Sequence, residues 1–421
     1  MTTETVDTAA MTADEKAVID TYLESHYDEL IAFRRRLHAH PELSGKEYAT
    51  TESVITRLVV ANLIPEVLPS GTGVVCDVAS RGSAIHDIVP TVALRADLDA
   101  LAMDDETETS YKSTVPGVAH CCGHDIHTTV VLGAGLLLVR LLNLPGAPNG
   151  RVRLIFEPSE EAVPGGAVEV VDRGFINDVG AIFGLHCDPK TDVGYLGVTS
   201  GPITSAADVI EIEITGPGGH TARPERTVDL VSVAARIALD VPRLLAEATV
   251  DAPVRLVFGS LRAGDAPNVI PSSARLRGTM RTKDRQGWRA APKLLKAALD
   301  QVVGPTGANW RLAHRRGVPP VVNDVAATDM LASASRSILG APAVVPTEQS
   351  WGGDTFAWYL EQIPGAYARL GTHDPGSTAP RFDLHASTFD VDEAAIGVGV
   401  RVLVSTALAW LREEERLHPR A

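Results

Sequence analysis

The sequence predicts an α/β protein: a mixed, largely parallel sheet flanked by helices, with a smaller α+β domain inserted into it. Three observations carry this expectation. Short apolar runs that stop at polar residues, "TVALRAD" (91–97), "RVRLIFEPSEE" (151–161) and "AIFGLH" (181–186), alternate with helical stretches, the pattern of strand–helix–strand units. From about residue 205 the runs instead alternate apolar and polar residues, as half-exposed strands do. The chain has 421 residues, 45% of them apolar, which is enough for one large domain and a second.

In order along the chain, residues 1–17 are polar and acidic and read as an unstructured tail; they lack the basic and apolar regions of a signal peptide. A first helix fits about 15–38, where Tyr22, His26, Leu30, Phe33 and Leu37 recur at three- and four-residue steps. After the 91–97 run, "TTVVLGAGLLLVRLL" (128–142) is apolar on nearly all sides and predicts a buried helix. The runs at 151–161 and 181–186 complete a first part of the large domain, 18–204. The insert spans 205–316: a strand at 208–215, a helix near 226–248, strands at 254–262 and 274–282, a helix at 285–302 and a strand at 310–316. That order, β-α-β-β-α-β, is the ferredoxin-like one. Residues 317–421, where helical periodicity returns, form the second part of the large domain.

Charge and composition exclude some classes of function. With 38 basic residues against 53 acidic ones the net charge is −15, a field that repels nucleic acid and anionic membranes. No stretch approaches the roughly 20 uncharged apolar residues of a membrane span. Four cysteines, two of them adjacent, make no disulfide framework; free thiols suit a reducing cytoplasm.

The polar ends of the strands hold the chemistry. In sheets of this class ligands gather beyond the carboxyl ends of the strands, so the motifs there point to one shared site. "AHCCGHDIHTT" (119–129) places Cys122 and His124 two apart across Gly123, a thiolate–imidazole pair suited to zinc and its neighbours. Taken alone, the pair reads more readily as packing, since buried free cysteines usually just pack. Glu160 and Glu161 end a strongly apolar run, where bare charge is costly unless a cation or water meets it. Neighbouring residues of an extended chain point different ways, so one carboxylate can bind a metal while the other serves as general base. His186 also ends an apolar run, and His385 lies in "DLHAST"; either can be a plain hydrogen-bonded residue. Asp97 and Asp99 in "RADLDAL" are turn residues, or carboxylates that orient a ligand.

Taken together, "FRRRLHAHPEL", "RADLDAL", "HCCGHDIHT", "EPSEE", "GLHCDP", "GPGGHTARP", "NVIP", "GTMRT" and "FDVDE" resemble, in this order, the M20 metallopeptidase clan. The nearest branch is the M20D amidohydrolases, which act on N-acyl amino acids, hippurate and auxin conjugates. The resemblance runs from about 30 to 412. It implies that Cys122, His124, Glu161, His186 and His385 hold two divalent metal ions, zinc or else manganese, cobalt or nickel. It makes Glu160 the general acid/base and Asp97 an outer carboxylate of the catalytic group. In the inserted domain it makes His220, Asn268 and Arg281 substrate contacts, His220 as the donor to the developing oxyanion. It implies hydrolysis of the linear amide bond of an N-acyl amino acid or conjugate, and a homodimer formed through the inserted domain. His127 and the "LHAHPEL" histidines take structural roles.

Two departures from the family pattern stand out. Ala102 replaces a common proline, and "EQSWGGDTF" (348–356) keeps only Asp354 of the usual Ser-Glu-Asp run. The alternatives are an aminopeptidase or dipeptidase of the same clan, which usually has aspartate in place of Cys122, and, in a different class, a redox sensor built on the vicinal pair Cys121–Cys122.

Overall fold

A computed structural model describes residues 10–81, 89–249, 253–378 and 381–418. They divide into two compact units: Met1–Gly201, Asn323–Glu348 and Trp358–Ala421 form the first, Pro202–Val322 and Gln349–Ala357 the second.

The first unit is built on an eight-stranded sheet in the order 66–67, 74–79, 151–157, 91–97, 181–192, 365–373, 196–198, 344–346. Its centre is parallel: strand 91–97 pairs in parallel with 151–157 and with 181–192, which in turn pairs in parallel with 365–373. Every residue of 91–97 and of 151–157 is buried, because helices cover both faces of a parallel sheet. That is why these strands read as continuous apolar runs rather than as alternating ones.

Helix His124–Leu141 is buried over nearly its whole length and packs on the sheet and on the helix Ala394–Leu417. Contrary to the expectation that no stretch approaches a membrane span, the latter is the one described helix long and apolar enough to cross a membrane by length and composition. Its apolar stretch is 78% buried inside the unit, the position of a core helix.

The first helix runs Ala13–Ala39 and so starts inside the expected tail. Thr12 accepts the backbone N–H of Glu15 while Glu15 accepts that of Thr12, a reciprocal cap that satisfies two otherwise unpaired donors. Residues 1–9 lie outside the described residues.

The second unit carries an antiparallel sheet in the order 254–262, 273–282, 206–215, 309–318, with helices Leu230–Ala248 and Arg285–Val303 packed on one face. Ile210, Ile212 and Ile214 alternate into that core with Leu256, Leu276 and Met280. The chain order is the expected β-α-β-β-α-β, with helix 230–248 preceded by a short 3-10 turn at Pro224–Arg226. The unit is wider than the expected 205–316, running Pro202–Val322, and it takes in a second segment. Residues 349–357 belong to this unit, although their place in the chain assigns them to the large domain. Gln349 donates its side-chain amide to the carbonyls of Thr204 and Lys283, and Ser350 N–H bonds to Ile203.

Candidate metal centre

The site assembles where parallel strands end. Asp97 and Glu157 lie opposite each other at the ends of 91–97 and 151–157. Arg95, fully buried, bridges them at 2.6 and 2.7 Å. Beyond Glu157 the chain does not stay extended to Glu160–Glu161, as the sequence suggests. Pro158 ends the strand, Ser159 adopts a left-handed φ of 58°, and the two glutamates sit in the turn that follows. Asp99 holds this turn: its Oδ1 accepts the N–H of Glu160 at 3.0 Å and its Oδ2 that of Glu161 at 2.9 Å.

His124 is the first residue of helix 124–141, and Gly123 before it has φ 83°. A Cβ at Gly123 would come within 2.7 Å of the Cys187 sulfur, so both conformation and space require glycine. His124 Nδ1 lies 2.8 Å from the carbonyl oxygen of Asp99. A carbonyl only accepts, so Nδ1 carries a proton and Nε2 is the nitrogen turned to the site, where a proton or a metal ion can sit. His186 repeats the device, with Nδ1 2.8 Å from the Cys187 carbonyl oxygen; its Nε2 lies 3.6 Å from Cys122 Sγ. His186 does not end its strand, which runs on from Ala181 to Asp192 because Gly365–His373 pairs alongside it. His385, half-exposed, holds a left-handed φ of 62°, strain of the kind that collects at functional positions. Its Nε2 is 3.2 Å from Glu161 Oε1.

The candidate ligand atoms of Cys122, His124 and His186 lie within 4.8 Å of one another, and so do those of Cys122, Glu161 and His385. Cys122 belongs to both groups. Among the described residues, His124 Nε2 and Glu161 Oε1 are buried polar atoms that make no hydrogen bond, though they lie 3.9 Å apart. Burial alone would strip charge from His124, but Asp97 and Cys122 outweigh it and hold the imidazole well above its ordinary pKa. The pocket therefore favours positive charge at Nε2, the charge a metal ion supplies. A thiol or thiolate, three imidazoles and a carboxylate around such a position fit a pair of borderline divalent ions. The Glu160 carboxylate lies within the same reach of His124 and Glu161.

Asp97 is fully buried. Its Oδ1 is 2.6 Å from His127 Nδ1, its Oδ2 is bound by Arg95, and His124 Nε2 lies 3.8 Å from Oδ2. His127 Nε2 accepts the N–H of Cys187 at 2.8 Å, so its Nδ1 is the protonated nitrogen and donates to Asp97. Burial raises the Asp97 pKa, but His124, His127 and Arg95 more than reverse it, leaving the carboxyl well below its ordinary range. The grouping Asp97–His124–His127 thus has no free nitrogen on His127.

Asp125, next to His124, is gripped by Arg34 at 2.7 Å and His38 at 2.8 Å. Arg34 also reaches Asp390 and Glu393, each at 3.2 Å, on the segment that follows His385. The sequence offers Asp99 only as a turn residue or a ligand-orienting carboxylate, beside Asp97, and it leaves Arg34 outside the site. The one signal for Asp99 was its spacing from Asp97, and the "FRRRLHAHPEL" stretch was the one for Arg34.

Cys121 turns elsewhere, with its sulfur 2.8 Å from that of Met103. Burial pushes its thiol up to about 12 and that of Cys122 well above its ordinary value. All four cysteines are unpaired and buried. A reactive redox thiol needs the opposite, a lowered pKa and access.

In the second unit, Gly219–His220 pairs with Val269–Ile270, which brings His220 beside Asn268; both side chains are exposed. His220 Nδ1 accepts the N–H of Ala222 at 3.0 Å, leaving Nε2–H without a partner among the described residues. Arg281 lies at the far end of strand 273–282 from this hairpin, about 25 Å of strand away at 3.3 Å per residue. It donates to the Trp351 carbonyl oxygen at 2.8 Å.

An α/β unit of this topology, with clustered metal-type ligands beyond its parallel strand ends, defines a metal-dependent hydrolase class. The chain belongs to peptidase family M20/M25/M40, whose family model matches residues 93–409. It is similar to the N-acetylcysteine deacetylase of Bacillus subtilis, 33% identical over 91% of this chain and 97% of that one. It is also similar to a protein of Rhodococcus jostii named putative glutamate–cysteine ligase 2-3, 42% identical over 95% of this chain; the chain spans about half of that relative's length, 48%. A crystal structure from Bacillus subtilis, described as a dinuclear metal-binding peptidase of the M20 family, superposes with a TM-score of 0.78 at 32% identity. That match covers 92% of this chain and 99% of the other.

Proposed function

We propose that this hydrolase cleaves the amide bond of an N-acyl amino acid or a related conjugate, releasing a carboxylate and a free amino acid. The observation that carries the reading is Cys122, which joins two ligand groups beside the acid turn of Glu160 and Glu161. A relative that deacetylates N-acetylcysteine supports the class of substrate.

In this reading Cys122, His124, Glu161, His186 and His385 hold two divalent ions, zinc or else manganese, cobalt or nickel. Bound there, they would polarise the scissile carbonyl and acidify a water. The Glu160 carboxylate takes the proton of the attacking water and returns it to the leaving amine. Asp97, itself fixed by Arg95 and His127, keeps negative charge 3.8 Å from His124 Nε2 and so sustains the hold of that nitrogen's surroundings on a cation.

His220 offers Nε2–H to the developing oxyanion, and Asn268 stands with it. Arg281 takes the carboxylate of the amino-acid portion through its planar fork. An N-acyl amino acid cannot bridge His220 and Arg281 of one chain across the length of strand 273–282. The reading therefore draws His220 and Asn268 from a partner copy, and the working form is a homodimer. The substrate is a small molecule; the acidic surface disfavours nucleic acid and anionic membranes, and four free thiols suit the cytoplasm.

The test is metal analysis of the purified protein together with an assay of acetyl-, benzoyl- and long-acyl amino acids. About two metal ions per chain and hydrolysis of at least one acyl class are expected. A fully metal-loaded protein that cleaves none of them overturns the reading.

A further inference from the structure

The outer face of the second unit's sheet pairs its arginines with glutamates along most of its length. Arg275 and Arg277 each lie 3.4 Å from Glu211, and Arg311 lies 3.2 Å from Glu213. At one end the pattern breaks. Arg255 and Arg281 are direct cross-strand partners, an arrangement of like charges that opposes pairing. The residue opposite Arg281 on its other side is Ala207. Lys283 follows two residues later and so shares the face of Arg281.

All three cations converge on one residue. The Arg255 guanidinium sits 4.0 Å and the Lys283 ammonium 4.8 Å from the centre of the Trp351 ring, while Arg281 donates to the Trp351 carbonyl at 2.8 Å. Among the described residues no carboxylate lies within ion-pair distance of any of the three. The ring faces offset only part of this charge. Three uncompensated cations gathered on one partly buried tryptophan, in a chain of net charge −15, describe an anion site.

We propose that Arg255 and Lys283, beside Trp351, bind a second carboxylate on the substrate, so that the preferred amino-acid portion is dicarboxylic, of the glutamate or aspartate kind. The proposal rests on the reading in which Arg281 takes the α-carboxylate. Arg281 and Arg255 are direct cross-strand partners, and side chains so placed start about 5 Å apart. Their charged ends can therefore serve two carboxylates separated by two or three carbons. The stretch 348–356, which departs from the family's usual residues, supplies the tryptophan that gathers the cations.

The experiment compares N-acetylglutamate with N-acetylglutamine, equal in size and differing in one charge. For the metal-loaded wild type, kcat/KM should favour the glutamate substrate by about 10-fold or more, carried by KM. In Arg255→Gln and Lys283→Gln this ratio should fall toward one. In Trp351→Leu it should also fall, since the cations lose their shared support. A ratio near one in the wild type, or a ratio unmoved by both Arg255→Gln and Lys283→Gln, overturns the proposal.

Calorimetric binding of glutarate and of butyrate provides a readout independent of turnover. Glutarate should bind the wild type at least about 10-fold more tightly than butyrate, and Arg255→Gln should abolish the difference. Equal binding of the two acids in the wild type overturns the proposal even if acetyl amino acids are hydrolysed. Tight glutarate binding without hydrolysis of any acyl amino acid keeps the anion site and fells the amidohydrolase reading instead. Inorganic phosphate separates a free-anion site from a substrate site. If phosphate matches glutarate in affinity and leaves N-acetylglutamate hydrolysis uninhibited, the site serves a free anion and the substrate proposal falls.

Discussion

His124 donates its Nδ1–H to the main-chain oxygen of Asp99, and the Asp99 carboxylate in turn receives the N–H groups of both Glu160 and Glu161. Ser44 adds a fourth bond, at 2.6 Å. One residue therefore sets the ring of one proposed ligand and the backbone of the turn that carries another and the proposed base. In Asp99→Asn the amide must turn an –NH2 group toward one of the two backbone N–H donors. Metal affinity should fall by about 10–100-fold, as when other partners that orient ligands are lost, with the circular dichroism spectrum preserved. Metal titration with a competing chelator measures this; wild-type affinity would reduce Asp99 to a turn residue.

Glu160→Gln should abolish turnover while leaving metal content near native. The side chain keeps its size and the backbone N–H keeps its bond to Asp99, but the group that accepts a proton is lost. Loss of a general acid/base costs about 10²–10⁴-fold in kcat. Steady-state assays on metal-replete protein decide the matter, and near-native kcat would remove Glu160 from the chemistry.

Cys122→Ala and Cys121→Ala should differ sharply although the residues are adjacent. Cys122 Sγ lies near His186 and belongs to both ligand groups, whereas Cys121 Sγ faces Met103. The first change should lower metal occupancy and activity together. The second should leave occupancy near native. Equal losses in both would contradict the division of roles.

His120 sets a pH dependence of stability. Among the described residues neither of its ring nitrogens has a hydrogen-bond partner, and burial lowers its pKa from 6.5 to about 4. The unfolded chain thus binds a proton here that the folded chain refuses between pH 6.5 and about 4. Stability must fall as the pH drops through that window, and above pH 6.5 this residue contributes no pH dependence. In chemical denaturation, His120→Phe should lose less stability than the wild type between pH 7.5 and 4.5. Parallel losses in the two proteins would show that His120 is not the source.

Much of this architecture is legible in the sequence because it is local. Strand 254–262 coincides with its expected bounds, and helix 285–303 differs by one residue, since alternation and 3.6-residue periodicity are properties of neighbouring residues. The apolar runs at 91–97 and 151–157 likewise announce buried parallel strands, and the Cys122–Gly123–His124 spacing announces a tight turn of ligand-type side chains.

What only the tertiary structure decided depends on register between distant segments. His186 faces Cys122 from the middle of a strand whose length is set by a partner just over 180 residues away. His385 meets Glu161 through a left-handed backbone that no residue type there would suggest. Asp99, rather than Asp97 alone, ties the acid turn to His124, although the two aspartates are indistinguishable by spacing. Trp351 leaves the domain its chain position implies and draws Arg255, Arg281 and Lys283 together. Such convergences are set by hydrogen-bond ladders and core packing across the chain, and a one-dimensional pattern of residue types carries the ingredients without their distances.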